Sequence, residues 1–303
     1  MIDLSVVIPT HNRKEILRRS LEALFDQTLP HESYEIVIVD DGSTDETEAR
    51  VREMMLTSPV RLRYYYQSNR GPAAARNLGI REAEAEVILL IDDDVIASPS
   101  LLRTHLQEHQ AASRIAVLGK TEIHSEITPT PFLEFITASE LLVAFDRIES
   151  GQDVPYRYFV TSNVSLRKEH LWEVGMFDEG FKSPGYEDTE LAYRLSQHGI
   201  QTVYNPRAVA YHLDPMTLES FIHRQRRVGR NAVIFQRKHP ELRVASRRTT
   251  PRLLAAMARH LFFQVLFLLS QEKRFQWRAW KYQLDYHCLL GMREGWRSQR
   301  SGQ

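Results

Sequence analysis

The chain has almost no cysteine: Cys288 is the single one in 303 residues. That excludes a disulfide framework and any zinc site built on thiolates, and it fits a reducing compartment. Internal repeats and low-complexity tracts are also lacking. No basic run precedes the first apolar segment, because Met1-Ile-Asp-Leu-Ser-Val-Val-Ile-Pro9 goes straight into a strand-like stretch. A secretory leader is therefore not expected and a cytoplasmic location is. No glycine-rich, basic phosphate loop follows that stretch, where His11-Asn12-Arg13 stands instead. This weighs against sugar-phosphate nucleotidyl transfer, and the missing Asp-x-Asp at the same place weighs against a phosphatase-type nucleophile. Long apolar runs are scarce. Leu253 to Leu269 is about 17 residues with Arg259 inside it, the short limit for crossing a bilayer, so a helix lying in the interface or packed on the body suits it better.

What the chain does have is charge, unevenly placed. The net is zero, yet Phe221 to Gln303 carries 18 Lys/Arg against 4 Asp/Glu, leaving 21 against 35 for Met1 to Ser220. A basic tail of this kind meets an anionic membrane surface, a phosphate-bearing substrate or nucleic acid, or docks on an acidic body. Nucleic acid is set aside, because the tail has neither a recognised motif nor basic residues interleaved with a stacking platform.

Apolar periodicity gives the architecture. Leu4–Thr10, Tyr34–Val39, Arg61–Tyr66 and Val87–Ile91 read as strands, the first, second and fourth apolar enough to be buried on both faces. Helical spacing falls between them, first at Ile16, Leu17, Leu21, Leu24 and Phe25, where Asn12 is a candidate cap. Strand alternating with helix at this interval means a parallel sheet with right-handed crossovers. Further strands are expected at Ile115–Gly119, Tyr158–Leu166, Thr202–Pro206 and Ala208–His212, with a helix beginning near Glu187. From about Pro215 the chain turns helical and basic. The expected fold is α/β, a mostly parallel sheet flanked by helices with a C-terminal helical extension. Its expected division is a nucleotide-binding half over 1–115, an acceptor and catalytic half over 116–214, and the extension over 215–303.

Ligands of open parallel sheets bind outside the C-terminal ends of the strands. Asp40-Asp41-Gly42-Ser43, Asn69-Arg70-Gly71-Pro72 and Asp92-Asp93-Asp94 all fall at such ends. The last is the most telling. Like charges about 4 Å apart repel by about 4 kcal/mol at an effective dielectric of 20, so a cation should stand there to offset three adjacent carboxylates. A divalent metal on oxygen ligands is the natural candidate.

In order, Val-Ile-Pro-Thr10-His11-Asn, Val39-Asp40-Asp41-Gly-Ser, Asn69-Arg-Gly-Pro72 with Ala75-Arg76-Asn77, Asp92-Asp93-Asp94 and Glu187-Asp188 resemble the family 2 inverting glycosyltransferases of GT-A fold. The resemblance covers roughly residues 4–212. It implies a single sugar moved from a nucleotide-diphosphate sugar, a UDP-sugar being favoured, to a hydroxyl of a glycan or lipid-linked acceptor, with Mg²⁺ or Mn²⁺ as cofactor. By the same resemblance Asp41 meets the nucleobase with Thr10 near the pocket, and Arg76 contacts the uridine or diphosphate. Asp94 ligates the metal, while Asp92 or Asp93 serves the ribose or the metal's waters. Asp188 is the general base, Glu187 positions it or the acceptor, and His212 is a further metal ligand of some relatives. Processive members carry Gln-x-x-Arg-Trp after the base; Gln225-Arg-Arg-Val-Gly229 begins like it and lacks the Arg-Trp end, so one addition per encounter is expected. The competing readings are the nucleotidyltransferase above and a nucleotide-sugar-binding protein without turnover. The basic helices imply a peripheral membrane contact at the inner face of the cell membrane, in polysaccharide, lipid-linked or envelope glycan synthesis.

Overall fold

The computed structural model describes residues 2–139, 141–143, 145–245 and 250–298. Met1, Arg247, Arg248 and Arg300, all counted in the sequence above, lie outside them. The chain divides into two compact units, one of residues 1–128, 143–182 and 188–214, the other of 129–142, 183–187 and 215–303.

The first unit holds an eight-stranded sheet. In chain order the strands are β1 (Leu4–Thr10), β2 (Tyr34–Asp41), β3 (Arg61–Gln67), β4 (Val87–Ile91), β5 (Val95–Ala97), β6 (Ile115–Ile123), β7 (Asn163–Arg167) and β8 (Gln201–His212). Their order across the sheet is β3-β2-β1-β4-β7-β6-β8-β5. The β3-β2-β1-β4 half is parallel throughout, with Leu4 opposite both Tyr34 and Val87. The sheet then reverses, β7 running antiparallel to β4 and β6, while β6 and β8 are again parallel.

Helices cover both faces, which is why the central strands read as mostly apolar runs. Leu4, Val6 and Ile8 of β1 pack with Leu17, Leu21 and Leu24 of α1 (Lys14–Phe25) and with Leu101 and Leu102 of α4 (Leu101–Ala111), and Val51 of α2 (Thr47–Thr57) joins them. Val7 of the same strand faces the opposite layer. There it meets α3 (Pro72–Glu82), α6 (Lys168–Glu173) and α7 (Glu187–Gln197) through Ala73, Ala75, Ile80, Leu171, Leu191 and Leu195. One residue of strand thus changes layers, as the pleat requires.

Three local expectations are corrected. Asn12 does not cap α1: it sits at φ 54 and its Oδ1 accepts from Thr44 N at 2.7 Å. The orphan amide of Lys14 is met instead by Asp45 Oδ2 at 3.2 Å, a cap supplied from the next loop. The strand expected from Tyr158 begins at Asn163. The two short segments ending at His212 are one twelve-residue strand, its register against β6 shifting at Gly119/Lys120.

The second unit is helical, with α5 (Pro131–Ala138), α8 (Leu218–Lys238), α9 (Thr250–Ser270) and α10 (Lys273–Ser298). Thr217 caps α8 by accepting from Ser220 N at 3.2 Å. Helices α8 and α10 meet at glycines, since a Cβ on Gly229 would lie 1.9 Å from Cys288 O and one on Gly291 2.0 Å from Arg226 O. Such close backbone approach is open only to glycine. The Gln225-to-Gly229 stretch therefore serves helix packing. Phe132 and Phe135 of α5 lie edge-on or tilted against Trp280 of α10 at 5.3 and 5.7 Å, adding an aromatic cluster.

Candidate active site

The C-terminal ends of β1, β2 and β4 lie side by side in the sheet, and each ends in an oxygen-bearing group. At the end of β4 the three carboxylates have separate cationic or hydrogen-bonding partners. Asp92 Oδ1 accepts from Arg76 Nη2 of α3 at 2.9 Å, and the Arg76 guanidinium lies over the Phe177 ring at 5.7 Å. Asp93 Oδ2 accepts from the Thr10 hydroxyl at 2.7 Å, and its backbone oxygen from Ser20 Oγ at 2.7 Å. Arg13 Nη1 reaches both remaining carboxylates, Asp93 Oδ1 at 3.1 Å and Asp94 Oδ2 at 2.7 Å.

This answers the electrostatic demand posed by the triplet, and the answer includes a residue that motif reasoning passed over. Arg13 follows β1 in the loop dismissed above for not being glycine-rich. Its signal in the sequence is only a cation at a strand end beside a strand that ends in acids. Both Asp93 and Asp94 are buried, each 6 % exposed. Burial pushes Asp93 up to about 7, Arg13 opposing the rise and Asp94 adding to it. Burial acts the same way on Asp94, but His212 and Arg13 outweigh it and hold that carboxyl well below its ordinary range. Of the adjacent pair, the surroundings favour the charged form more at Asp94 than at Asp93.

His212 ends β8, and Val95 of β5 pairs opposite it. That pairing brings its Nδ1 to 3.4 Å from Asp94 Oδ1. Asp94 Oδ1 is buried and accepts no hydrogen bond. A carboxylate oxygen and an imidazole nitrogen facing each other are ligands that Mn²⁺ accepts, and the oxygen alone suits Mg²⁺. Among the described residues no three His, Cys, Asp or Glu side chains gather round one point. These residues thus fit a cation that completes its shell with phosphate oxygens or water, as Mg²⁺ does with substrate phosphates. Asp92, expected beside the metal to serve it, its waters or the ribose, has its Oδ1 engaged with Arg76.

Asp41 ends β2 and belongs to a neighbouring pocket. Its Oδ1 accepts from Gln67 Nε2 and Arg70 N, both at 2.7 Å, and its Oδ2 from Gly71 N at 2.9 Å. Gly71 is at φ 94, where a Cβ would lie 2.6 Å from Lys182 O, so the amide that meets Asp41 needs glycine. Asp40 is turned to structure, accepting from Ser43 N at 2.7 Å and Tyr64 Oη at 2.8 Å. Asn77 Nδ2 donates to Phe177 O at 2.9 Å while its Oδ1 accepts from Phe177 N at 2.9 Å. That pairing fixes the loop carrying the ring beneath Arg76.

Glu187 and Asp188 open α7, and the boundary between the two units passes between them. Glu187 is buried, its Oε2 accepting from Gly185 N at 2.6 Å; Asp188 is half-buried, its Oδ1 accepting from Thr189 N at 2.8 Å. Tyr186, just before them, is at φ 73, outside the comfortable range of an aromatic residue. The structure therefore brings Thr10, Asp93, Asp94 and His212 together with Arg13, and Arg76 with Asp92. Asp41 stands one strand away, and Glu187 and Asp188 stand at a helix start.

Comparison with known proteins identifies the family and the fold. The model of the family described as Glycosyl transferase family 2 matches residues 5–175. Validoxylamine A glucosyltransferase of Streptomyces hygroscopicus subsp. limoneus is 38% identical over 222 residues, 65% of this chain and 48% of that protein. Chondroitin synthase of Escherichia coli is 28% identical over 269 residues, 78% of this chain and 38% of that protein. The chain thus spans about half the length, or less, of these relatives. Among solved structures, the mannosyltransferase PcManGT of Pyrobaculum calidifontis, in complex with GDP-Man and Mn²⁺, superposes with a TM-score of 0.69 at 20% identity, covering 98% of this chain and 87% of that one. TarS 1–349 of S. aureus in complex with UDP gives 0.56 at 18% identity, covering 100% and 92%. At these identities the likeness shows the fold, which is GT-A.

Proposed function

The chain belongs to glycosyl transferase family 2, and from that premise we propose a metal-dependent, inverting glycosyltransferase. It moves a single sugar from a nucleotide-diphosphate sugar, a UDP-sugar before others, to a hydroxyl of a glycan or lipid-linked acceptor on the cytoplasmic side of the cell membrane. Residues 1–115 bind the donor and 116–214 the acceptor, with 215–303 as an extension. The observation that carries the reading is the pairing of Asp94 Oδ1 with His212 Nδ1 at 3.4 Å, just past the end of β4, beside β1 with its terminal Thr10 and one strand further from β2 with its terminal Asp41.

Asp41 receives the nucleobase beside the Asn69–Pro72 turn, and Thr10 lies near the same pocket. Arg76 faces the diphosphate, Asp92 holding its guanidinium in place, and Asp93 serves the ribose. Asp94 and His212 would hold the divalent cation, which when bound neutralises charge on the departing diphosphate. Asp188 takes the proton of the acceptor hydroxyl as that oxygen bonds to the anomeric carbon. The bond from that carbon to the diphosphate oxygen breaks, and the electron pair leaves with the nucleoside diphosphate. One displacement from the face opposite the leaving group inverts the centre, so an α-linked donor gives a β-linked product. Glu187 positions the base through its bond to the preceding turn.

Donor turnover tests the assignment. With Mn²⁺ present the protein should release nucleoside diphosphate from a nucleotide sugar. Asp188→Asn should bind donor unchanged, by calorimetry, and turn over about a hundredfold to ten-thousandfold less, the range a positioned base contributes. An Asp188→Asn protein with full turnover would remove the base, and nucleotide sugars that fail to bind at all would remove the reading.

A further inference from the structure

Helix α9 is the least covered element of the second unit. It spans 21 residues, long and apolar enough by length and composition to cross a membrane. One side docks on α10: Leu253 and Ala256 are buried, Phe263 stacks on Tyr282 at 5.6 Å, and His260 Nδ1 donates to Ala279 O at 2.9 Å. The other side is bare. Leu254, Met257, Leu261, Val265 and Leu268 follow the 3-4 spacing of a single helical stripe and all are exposed, with Phe262 and Leu269 beside them. Exposure reaches 66 % at Leu254 and 79 % at Leu269. A run this long of exposed large apolar side chains is an interaction surface.

Charge selects the occupant. Helix α9 contains no Asp or Glu at all, and Thr250 to Ser298 carries 8 Lys/Arg against 3 Asp/Glu. Several of those cations lie over aromatic rings of the same helix pair: Arg259 over Tyr282 at 5.5 Å, Arg278 over Phe263 at 5.3 Å and Lys273 over Trp277 at 4.9 Å. Apolar stripe, aromatic rings and cations on long stems are the composition that settles at the level of lipid headgroups. A spanning arrangement would put Arg259, tenth of the 21 residues, near the middle of the hydrocarbon, and would surround α10's cations with lipid.

We propose that α9 lies in the plane of an anionic phospholipid surface, its Leu254–Leu268 stripe sunk among the acyl chains and the cations of α9 and α10 on the headgroups. The surface needs neither donor nor acceptor, so it stands or falls separately from the transferase reading.

Sedimentation of the full chain with vesicles tests it. Phosphatidylglycerol–phosphatidylcholine vesicles should carry the protein down at low salt, pure phosphatidylcholine vesicles far less, and high salt should release most of it as the attraction is screened. Leu261→Asp with Val265→Asp, both at exposed positions, should leave the melting temperature unchanged and lower vesicle affinity about a hundredfold. Should that pair fold poorly, Lys273→Glu with Arg278→Glu keeps the stripe and should cost about fivefold for each cation removed. Three results overturn the proposal. One is sedimentation of both variant pairs equal to that of the wild type. Another is equal binding to both vesicle types that survives high salt and alkaline carbonate, which marks a spanning helix. The third is a dimer in light scattering that the Asp pair dissociates while vesicle binding is nil, which assigns the stripe to a second copy.

Discussion

Arg13 holds the acidic cluster together before any ligand arrives. Its Nη1 reaches Asp93 and Asp94 at 3.1 and 2.7 Å, and those carboxylates are buried while the arginine remains 43% exposed. A divalent cation on Asp94 would compete for the same charge. Arg13→Gln should therefore have two opposite effects. Without metal it leaves two buried acids short of a counter-charge and should lower unfolding stability by about 2 kcal/mol, less than the loss for a fully buried pair because the cation is half in water. With metal but no nucleotide it should tighten Mn²⁺ binding, by about tenfold if the lost competition is worth about 1.4 kcal/mol. Denaturant midpoints read the first effect and the spin-resonance signal of free Mn²⁺ the second. Unchanged Mn²⁺ affinity would show that Arg13 does not compete for Asp94.

At the scale of elements, α4 is joined to the sheet by a polar chain. Asn163 Nδ2 donates to Ala208 O and Lys120 O at 2.9 and 3.1 Å, so its Oδ1 is left to accept from His105 Nε2 at 2.9 Å. His105 Nδ1 then accepts from Ser165 Oγ, and that oxygen accepts from His109 Nε2, both at 2.8 Å. Both imidazoles are neutral in this arrangement, and burial holds His105 down at about 4 and His109 at about 3. A histidine whose folded pKa lies below its unfolded value takes up a proton on unfolding. Its contribution is complete above about 6.5 and is lost as pH falls from there towards 4. For His105 that gap is worth about 3 kcal/mol, so unfolding stability of the wild type should fall between those pH values by about that much more than in His105→Gln. Parallel pH profiles of the two proteins would exclude the chain as the cause. Helix α10 poses a steric question instead: Gly229→Ala sets a methyl 1.9 Å from Cys288 O, which only backbone movement relieves, and should cost about 3 kcal/mol in the melt of the helical unit. What was legible in the sequence follows from the same distinction. Strands β1, β2 and β4 announced themselves because burial on both faces leaves few polar positions to interrupt them, Ser5 and Glu35 being buried against each other, and their ends, being loops, showed their acids. The antiparallel β7, the cap that Asp45 lends to Lys14 and the reach of Arg13 were not legible. Each is a pairing between segments far apart in sequence, and no local pattern encodes such a partner.

At the scale of the whole chain, the division into two units makes the proposed site and the proposed membrane surface separable by experiment. Thr10, Asp41, Arg76, Asp94 and His212 all lie in the sheet-bearing unit, while α9 lies in the helical one. A ligand that binds only the native state stabilises it by about 2.7 kcal/mol at a hundredfold excess over its dissociation constant. For a body of about 200 residues that is a rise of about 5–10 °C in melting temperature. A nucleotide sugar with Mn²⁺ should raise the sheet unit's transition by that amount. Either alone should do much less, because on the proposed assignment Asp94 and His212 would offer only part of a coordination shell and the diphosphate would have to supply the rest. Asp94→Ala should abolish the joint shift and leave the metal-free melting curve within a few degrees of wild type, since Arg13 retains Asp93 as its partner. Leu261→Asp with Val265→Asp should keep the joint shift in full. A panel of nucleotide sugars run this way also ranks the donors, the tightest giving the largest shift. If Asp94→Ala kept the full metal-dependent shift, the cation would be held elsewhere. If the α9 pair lost it, donor binding and the lipid-facing helix would not be independent.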